Sequence, residues 1–372
     1  MIKRSITGAI TEDIGKIVLI TGPRQTGKTF LSKQISDNYT YLNYDSSKDR
    51  LLIDAEEFSR DADLIIFDEL HKKKNWKRWV KGIYDTEQLS MLVTGSARLD
   101  IFRKIDESLA GRHYLYRLFP LDLNELKGND PAINLNETLN QLLITGGFPE
   151  PFLSGTERGY KKWARTHLDS IIRYDLLDMI NIHDIQSMEL LIELLKRNVG
   201  STVSYSNLAR KIEKDPRTVK NWITILENLF IIFKVTPYSK NLSRSILKES
   251  KYYFYDWACI EDEGARLENC VAFSLFKKSK YIEDLEYNKS SLHFIKDKEG
   301  REIDFLFVNN DSIQLIEVKL SDENLSKPLL YYSAKFPLDI PRLQLVKNIK
   351  RERFIKESNV KIIDLAKWLG QL

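Results

Sequence analysis

One octapeptide constrains this chain more than any other feature. Gly22-Pro23-Arg24-Gln25-Thr26-Gly27-Lys28-Thr29 satisfies G-x-x-x-x-G-K-[ST] at every fixed position. An apolar run, Ile17–Thr21, leads into it, and a helical stretch, Lys28–Ser36, follows. Glycines at these places let backbone N–H groups face phosphate oxygens, and the start of a helix adds a favourable dipole. Lys28 would neutralise the outer phosphates and the Thr29 hydroxyl would ligate magnesium, so ATP and Mg2+ are the expected cofactors. A chance match arises on the order of once in a hundred chains of this length. The strand–loop–helix setting makes chance a still poorer explanation.

A loop of this kind needs an acidic partner, and Leu64-Ile65-Ile66-Phe67-Asp68-Glu69 supplies one: an apolar strand ending in two carboxylates. Asp68 would hold magnesium, directly or through water, and Glu69 would polarise the attacking water. Alone, such a strand is more often structural. Paired with the phosphate loop, the functional reading prevails. Met91–Thr94 reads as the next strand, running into Gly95-Ser96-Ala97-Arg98, where Ser96 or Arg98 could sense the γ-phosphate; an ordinary strand exit is an equal reading. Arg103 and Arg112 are candidates for an arginine finger, with Arg112, in Leu109-Ala110-Gly111-Arg112, preferred.

Strand candidates Ile17–Thr21, Tyr39–Tyr44, Asp63–Phe67, Met91–Thr94 and Tyr114–Leu118 alternate with helical stretches such as Trp76–Tyr84, which predicts a parallel sheet flanked by helices. The alternation breaks at Thr145-Gly146-Gly147-Phe148-Pro149-Glu150. Residues 160–198 then read as helices. From Ser201 to Tyr238 the pattern fits a winged helix-turn-helix, whose second helix starts at Asp215-Pro216 and carries its apolar stripe on Val219, Trp222, Ile223, Leu226 and Leu229. Beyond Tyr252 a helix, Leu267–Lys277, precedes strand candidates Leu292–Lys296, Glu302–Val308 and Ser312–Lys319, joined by short turns as a meander. The expected fold class is therefore α/β: a P-loop NTPase parallel sheet over 1–150, a helical and winged-helix segment over 151–240, and an α/β domain over 241–372.

Composition agrees. The chain has 372 residues, 42% hydrophobic and 30% charged, so it has ample material for more than one core. No apolar run is long enough to span a bilayer, and the N-terminus lacks a signal peptide's apolar core, so no membrane partner is expected and the location is expected to be cytoplasmic. Two cysteines, Cys259 and Cys270, argue against a zinc site and against a disulfide framework. A net charge of +4 permits nucleic-acid contact without requiring it.

Taken together, Gly22–Thr29, the Asp68-Glu69 strand, Thr94-Gly95-Ser96 and Leu109-Ala110-Gly111-Arg112 resemble the AAA-type ATPases of bacteria and archaea. Phe119-Pro120-Leu121 and Gly146-Gly147-Phe148-Pro149-Glu150 match segments of the same group. Its members carry a C-terminal domain of uncharacterised function, whose pattern is visible in Lys251-Tyr252-Tyr253-Phe254-Tyr255-Asp256, Gly264–Asn269, Glu302-Ile303-Asp304-Phe305 and Ile316-Glu317-Val318-Lys319. The resemblance covers nearly the whole chain and implies the architecture more than the biological role. One departure is that no second sensor arginine from a helical lid stands out.

Asp304, Glu317 and Lys319, with Glu268 on the preceding helix, resemble the active-site pattern of restriction-endonuclease-like nucleases. Alternation along a strand puts Glu317 and Lys319 on one face, and Asp304 lies on the adjacent strand. That reading makes Glu268, Asp304 and Glu317 metal ligands and Lys319 the group that activates a water against a phosphodiester. The competing reading is a solvated strand face, since Glu-x-Lys recurs at Glu125–Lys127 and Glu249–Lys251. DNA or RNA would be the partner, met by the nuclease-like domain and by Arg217 and Lys220 of the winged helix, although packing between domains is the slightly preferred reading of that unit. The basic run His71–Arg78 is expected to be a solvated face over a core of Trp76, Trp79, Val80 and Ile83. Two functions follow as expectations: ATP hydrolysis gating a magnesium-dependent nuclease, or an ATP-controlled switch whose C-terminal domain only binds a partner.

Overall fold

The computed structural model describes residues 2–96, 109–176, 185–239, 249–321 and 324–372. Its contacts form two compact units, Met1–Pro120 with Asn228–Phe230, and Leu121–Glu227 with Ile231–Leu372.

The first unit is built on the parallel sheet that the alternation predicts. Its strands are β1 (Ile17–Gly22), β2 (Tyr39–Asn43), β3 (Leu64–Asp68), β4 (Met91–Ser96) and β5 (His113–Arg117), in the order β2-β3-β4-β1-β5 with every pair parallel. β1 and β3 are buried along their whole length, as unbroken apolar runs in a doubly covered sheet must be. Ile17, Leu19, Ile65, Phe67, Met91 and Val93 pack there against the helix Trp76–Glu87, which buries Trp76, Val80 and Ile83. Trp79 is partly buried and donates its Nε1–H to Glu56 at 2.8 Å. Lys72 and Lys73 of the basic run pair with Asp45 and Asp54, and Arg78 is exposed.

Register decides where function can sit. Gly22 of β1 pairs with Ser96 of β4, and Asn43 of β2 pairs with Asp68 of β3, so the phosphate loop, the acidic strand end and the β4 exit share one sheet edge. That is the carboxyl edge, where open parallel sheets bind ligands. Gly22 has φ +148°, and a Cβ there would lie 2.1 Å from the carbonyl oxygen of Leu118. The close approach is fixed by the Leu118 N–H, which donates to Thr21 O at 2.8 Å. Gly22→Ala is expected to cost roughly 2 kcal/mol or more, from strain plus overpacking. Thermal unfolding would show it as a fall in Tm on the order of 10 °C; an unchanged Tm would contradict this account of the strand end.

The second unit begins with the helices Leu123–Asn129, Leu135–Thr145, Pro149–Ser154 and Glu157–Ser170. The expected boundary near residue 150 falls inside it. Leu121 N–H donates to Gly147 O at 2.6 Å, Trp257 Nε1–H to Leu142 O at 2.8 Å, and Lys277 pairs with Asp122 at 3.2 Å and Glu125 at 2.8 Å. The Trp257 and Lys277 contacts tie residues 122–142 to segments more than a hundred positions downstream.

A nine-stranded mixed sheet organises the remainder. Its strands are β6 (Thr202–Val203), β7 (Ile232–Pro237), β8 (Ser250–Phe254), β9 (Ser290–Lys296), β10 (Glu302–Asn309), β11 (Ser312–Lys319), β12 (Arg342–Val346), β13 (Arg353–Ile355) and β14 (Val360–Asp364). They run in the order β13-β14-β12-β11-β10-β9-β7-β8-β6. β9–β10–β11 is the expected antiparallel meander. The helices Tyr205–Lys211 and Pro216–Asn228 precede the β7–β8 antiparallel pair; the second buries Val219, Trp222, Ile223 and Leu226 and leaves Arg217 and Lys220 exposed. β7 also pairs in parallel with β9, through Thr236↔His293 and Pro237↔Phe294. Among the described residues no helix is long and apolar enough to cross a membrane, and both cysteines are free thiols.

Candidate functional site

The phosphate loop folds as its glycines and short polar residues require. Gly27 takes φ +92° at the N-cap of the helix Lys28–Ser32, and Gln25 also sits at positive φ, 61°. Such a succession of turned residues aims backbone N–H groups into one concavity. Thr26 Oγ1 closes the loop on Pro23 O at 2.9 Å, while Arg4 braces it from below by donating to Thr26 O at 2.8 Å and to Phe119 O. Lys28 is buried, with its ammonium donating to Gly22 O at 3.0 Å and Pro23 O at 2.7 Å, at the mouth of its own loop. Arg24 is half-buried and its charge reaches Glu69.

Asp68 is the hub of the opposite wall. Its carboxylate accepts from Thr29 Oγ1 at 2.6 Å, from Tyr41 Oη at 2.8 Å and from Thr94 Oγ1. Three strands and the loop helix thus fix one side chain. Burial, and then the Asp68 carboxylate, push the Tyr41 phenol up, so it stays protonated and donating at neutral pH. Thr29 and Asp68 put two hard oxygen ligands side by side, which suits a magnesium ion that keeps most of its waters. Glu69 follows at φ 54°, beside His71 (3.6 Å) and Lys72 (4.0 Å). Burial raises its carboxyl above the ordinary range, against the lowering pull of Lys28, Lys72 and Arg24.

The structure gathers Gly22–Thr29, Asp68 and Glu69, and brings the Ser96 backbone beside Gly22. It does not bring Arg112 there. Ile17 N–H donates to Arg112 O at 3.0 Å at the start of β1, so Arg112 sits at the opposite sheet edge, one strand length or about 17 Å away. Its guanidinium is held by Asp85 at 2.7 Å. Arg98 and Arg103 lie outside the described residues. Arg4 and Tyr41 had no sequence signal; each acts through contacts that a linear motif does not contain.

The C-terminal candidates also converge. On β10 a bulge between Ile303 and Leu306 re-aims Asp304, whose Oδ2 accepts from Val318 N–H at 2.8 Å. Burial, then the Glu317 and Glu268 carboxylates, hold the Asp304 carboxyl well above the usual range. Glu317 is buried; its Oε1 takes Lys319 Nζ at 2.8 Å and Ser326 Oγ at 3.0 Å, and its Oε2 is enclosed without a hydrogen-bond partner. Glu268 accepts from Tyr253 Oη at 2.6 Å and from Lys251 Nζ at 3.2 Å. Yet among the described residues no group of three or more His, Cys, Asp or Glu side chains is disposed to hold a metal ion. The residue that sequence reasoning missed is Lys251, with no exposed surface, lying among these carboxylates.

Comparisons with known proteins match three stretches of the chain. Residues 15–127 match the family described as AAA domain, residues 136–260 a domain of unknown function (DUF8612), and residues 263–368 a domain of unknown function (DUF4143). An uncharacterized protein of Methanocaldococcus jannaschii is 24% identical over 399 residues, covering 95% of this chain and 88% of the relative. One from Haemophilus influenzae is 24% identical over 345 residues, covering 82% and 83%. The Aeropyrum pernix ORC1 protein, solved in complex with DNA, is similar at TM-score 0.34 and 12% identity, covering 74% of this chain and 94% of that one. A STAND signal-transduction ATPase of Pyrococcus horikoshii is similar at TM-score 0.31 and 15% identity, covering 77% and 47%. Residues 15–127 thus match the AAA-domain family and carry a P-loop NTPase sheet and loop, which supports ATP binding, and residues 263–368 match the domain of unknown function DUF4143.

Proposed function

We propose that this chain is an ATP-hydrolysing switch, in which MgATP at the Gly22–Thr29 loop controls a C-terminal domain that engages a partner. The observation that carries the reading is the hydrogen-bonded Thr29–Asp68 pair beside a buried Lys28 and Glu69. On this reading the loop N–H groups and Lys28 bind the phosphates, and Thr29 and Asp68 fix the metal side of the nucleotide. Magnesium, when bound, would supply neutralisation of phosphate charge. Glu69 accepts a proton from the attacking water or orients it, with Lys28 close enough to restrain its charge. Tyr41 and Thr94 keep the Asp68 carboxylate from turning away. Arg112 would serve only in trans, from another subunit, and only after leaving Asp85. The test is phosphate release from MgATP, set against Asp68→Asn: a fall of about 10²-fold or more is expected, and an unchanged rate would sink the reading.

A second reading, a magnesium-dependent nuclease gated by ATP, is favoured by the enclosed Glu317 Oε2 beside Asp304. Cleavage of labelled DNA or RNA by the wild type, lost in Asp304→Asn, would establish it. Intact nucleic acid alongside phosphate release would leave the switch. Arg217 and Lys220, exposed on one helix, are the places where nucleic acid would be met. Reversing both charges should then weaken binding and flatten its salt dependence.

A further inference from the structure

The carboxylates of β10 and the helix Glu263–Leu285 already have a cation. Lys251, from β8, has no exposed surface; its Nζ lies 2.5 Å from Glu302 Oε1 and 3.2 Å from Glu268 Oε1, and the Asp304 charge acts on it too. An ammonium buried this completely is costly unless opposite charges enclose it. Here burial alone would lower its pKa, and Glu268, Asp304 and Glu302 together reverse that and raise it, so the group stays charged.

Two further lysines pair with the cluster. Lys296 pairs with Glu302 Oε2 at 2.8 Å and Lys319 with Glu317 Oε1 at 2.8 Å. Three ammonium groups therefore face the four carboxylates Glu268, Glu302, Asp304 and Glu317. The backbone packs closely on Glu268: a Cβ on Gly200, at φ +78°, would come within 2.7 Å of its Oε2. Its Oε1 is shared between Tyr253 and Lys251.

We propose that the Lys251 ammonium is the resident counter-ion of Glu268, Glu302 and Asp304, standing where a metal-dependent site would need a divalent cation, and that this site takes up such a cation only when the ammonium is removed. The inference is independent of the nucleotide site, whose failure would appear in phosphate release and not here.

The test uses the full chain without nucleotide and Mn2+ as the probe, read by electron paramagnetic resonance and by Tm. Binding counts only where Asp304→Asn abolishes it, which separates this site from Asp68. The wild type is expected to show no such Mn2+ binding at millimolar metal. Lys251→Met is expected to melt lower in metal-free buffer, to gain one Asp304-dependent Mn2+ site, and to recover on the order of 5 °C in Tm when Mn2+ is added. Asp304-dependent Mn2+ binding with Lys251 in place would overturn the proposal, as would a folded Lys251→Met that gains none. Should Lys251→Met fail to fold, Lys251→Met with Glu302→Gln relieves the repulsion and is read by the same criterion. Asp304-dependent Mn2+ binding in the wild type overturns the proposal regardless of either variant.

Discussion

Replacing Lys28 by alanine is expected to lower kcat/KM for MgATP by ~10²–10³-fold, the loss typical of one preorganised donor in a dry site. The effect is large because Lys28 is not a surface charge that solvent could replace. Its ammonium is buried and held by Gly22 O and Pro23 O, so on the proposed reading it would meet the phosphates already desolvated and oriented. The loop itself should survive the substitution. Its shape rests on the Thr26–Pro23 hydrogen bond and the Arg4 brace, neither of which involves Lys28. Circular dichroism and Tm near those of the wild type, with nucleotide affinity lost, are the expected pair of results. Full affinity in Lys28→Ala would remove the loop from the account.

Glu69→Gln should behave differently. Glutamine keeps the size and loses the base, so MgATP should still bind while hydrolysis falls by ~10²–10⁴-fold, the range of a positioned general base. The pH profile adds a sign. Burial raises the Glu69 carboxyl above its ordinary value, so its base form is lost as pH falls through that raised pKa. The acid limb of kcat should accordingly lie above the usual carboxylate range and should vanish in Glu69→Gln. A wild-type limb at ordinary carboxylate pH, or one that survives the substitution, would assign the base to another group.

The two sites were legible to different depths, for physical reasons. The phosphate loop and the β3 strand end are local: a few consecutive residues carry both the backbone conformation and the chemistry, so Gly22–Thr29 and Asp68-Glu69 could be read before any sheet was known. Likewise Asp215-Pro216 marks the helix Pro216–Asn228 at its first turn. Arg112 shows the limit. Its motif looks catalytic in the linear chain, but parallel register puts Ile17 and His113 at the edge away from the loop. Sheet register is a long-range property, and nothing near Arg112 encodes it. The same holds for the parallel β7–β9 pairing, which joins Thr236 to His293 and merges two expected segments into one sheet. Lys251 was hidden in another way: in Lys251-Tyr252-Tyr253-Phe254 it reads as an ordinary strand lysine. Only Glu268 and Glu302, brought in from a helix and a later strand, reveal why it is buried.

The proposed switch rests on hydrolysis of MgATP at one site formed by the loop and the acidic strand. The most direct measurement is steady-state phosphate release by the purified full chain, with magnesium and with the metal chelated, run beside Lys28→Ala and Glu69→Gln. The account predicts magnesium-dependent release in the wild type, loss in both variants, and retained MgATP binding in Glu69→Gln alone. Release that persists at the wild-type rate in both variants would contradict it, as would a wild type that binds no MgATP.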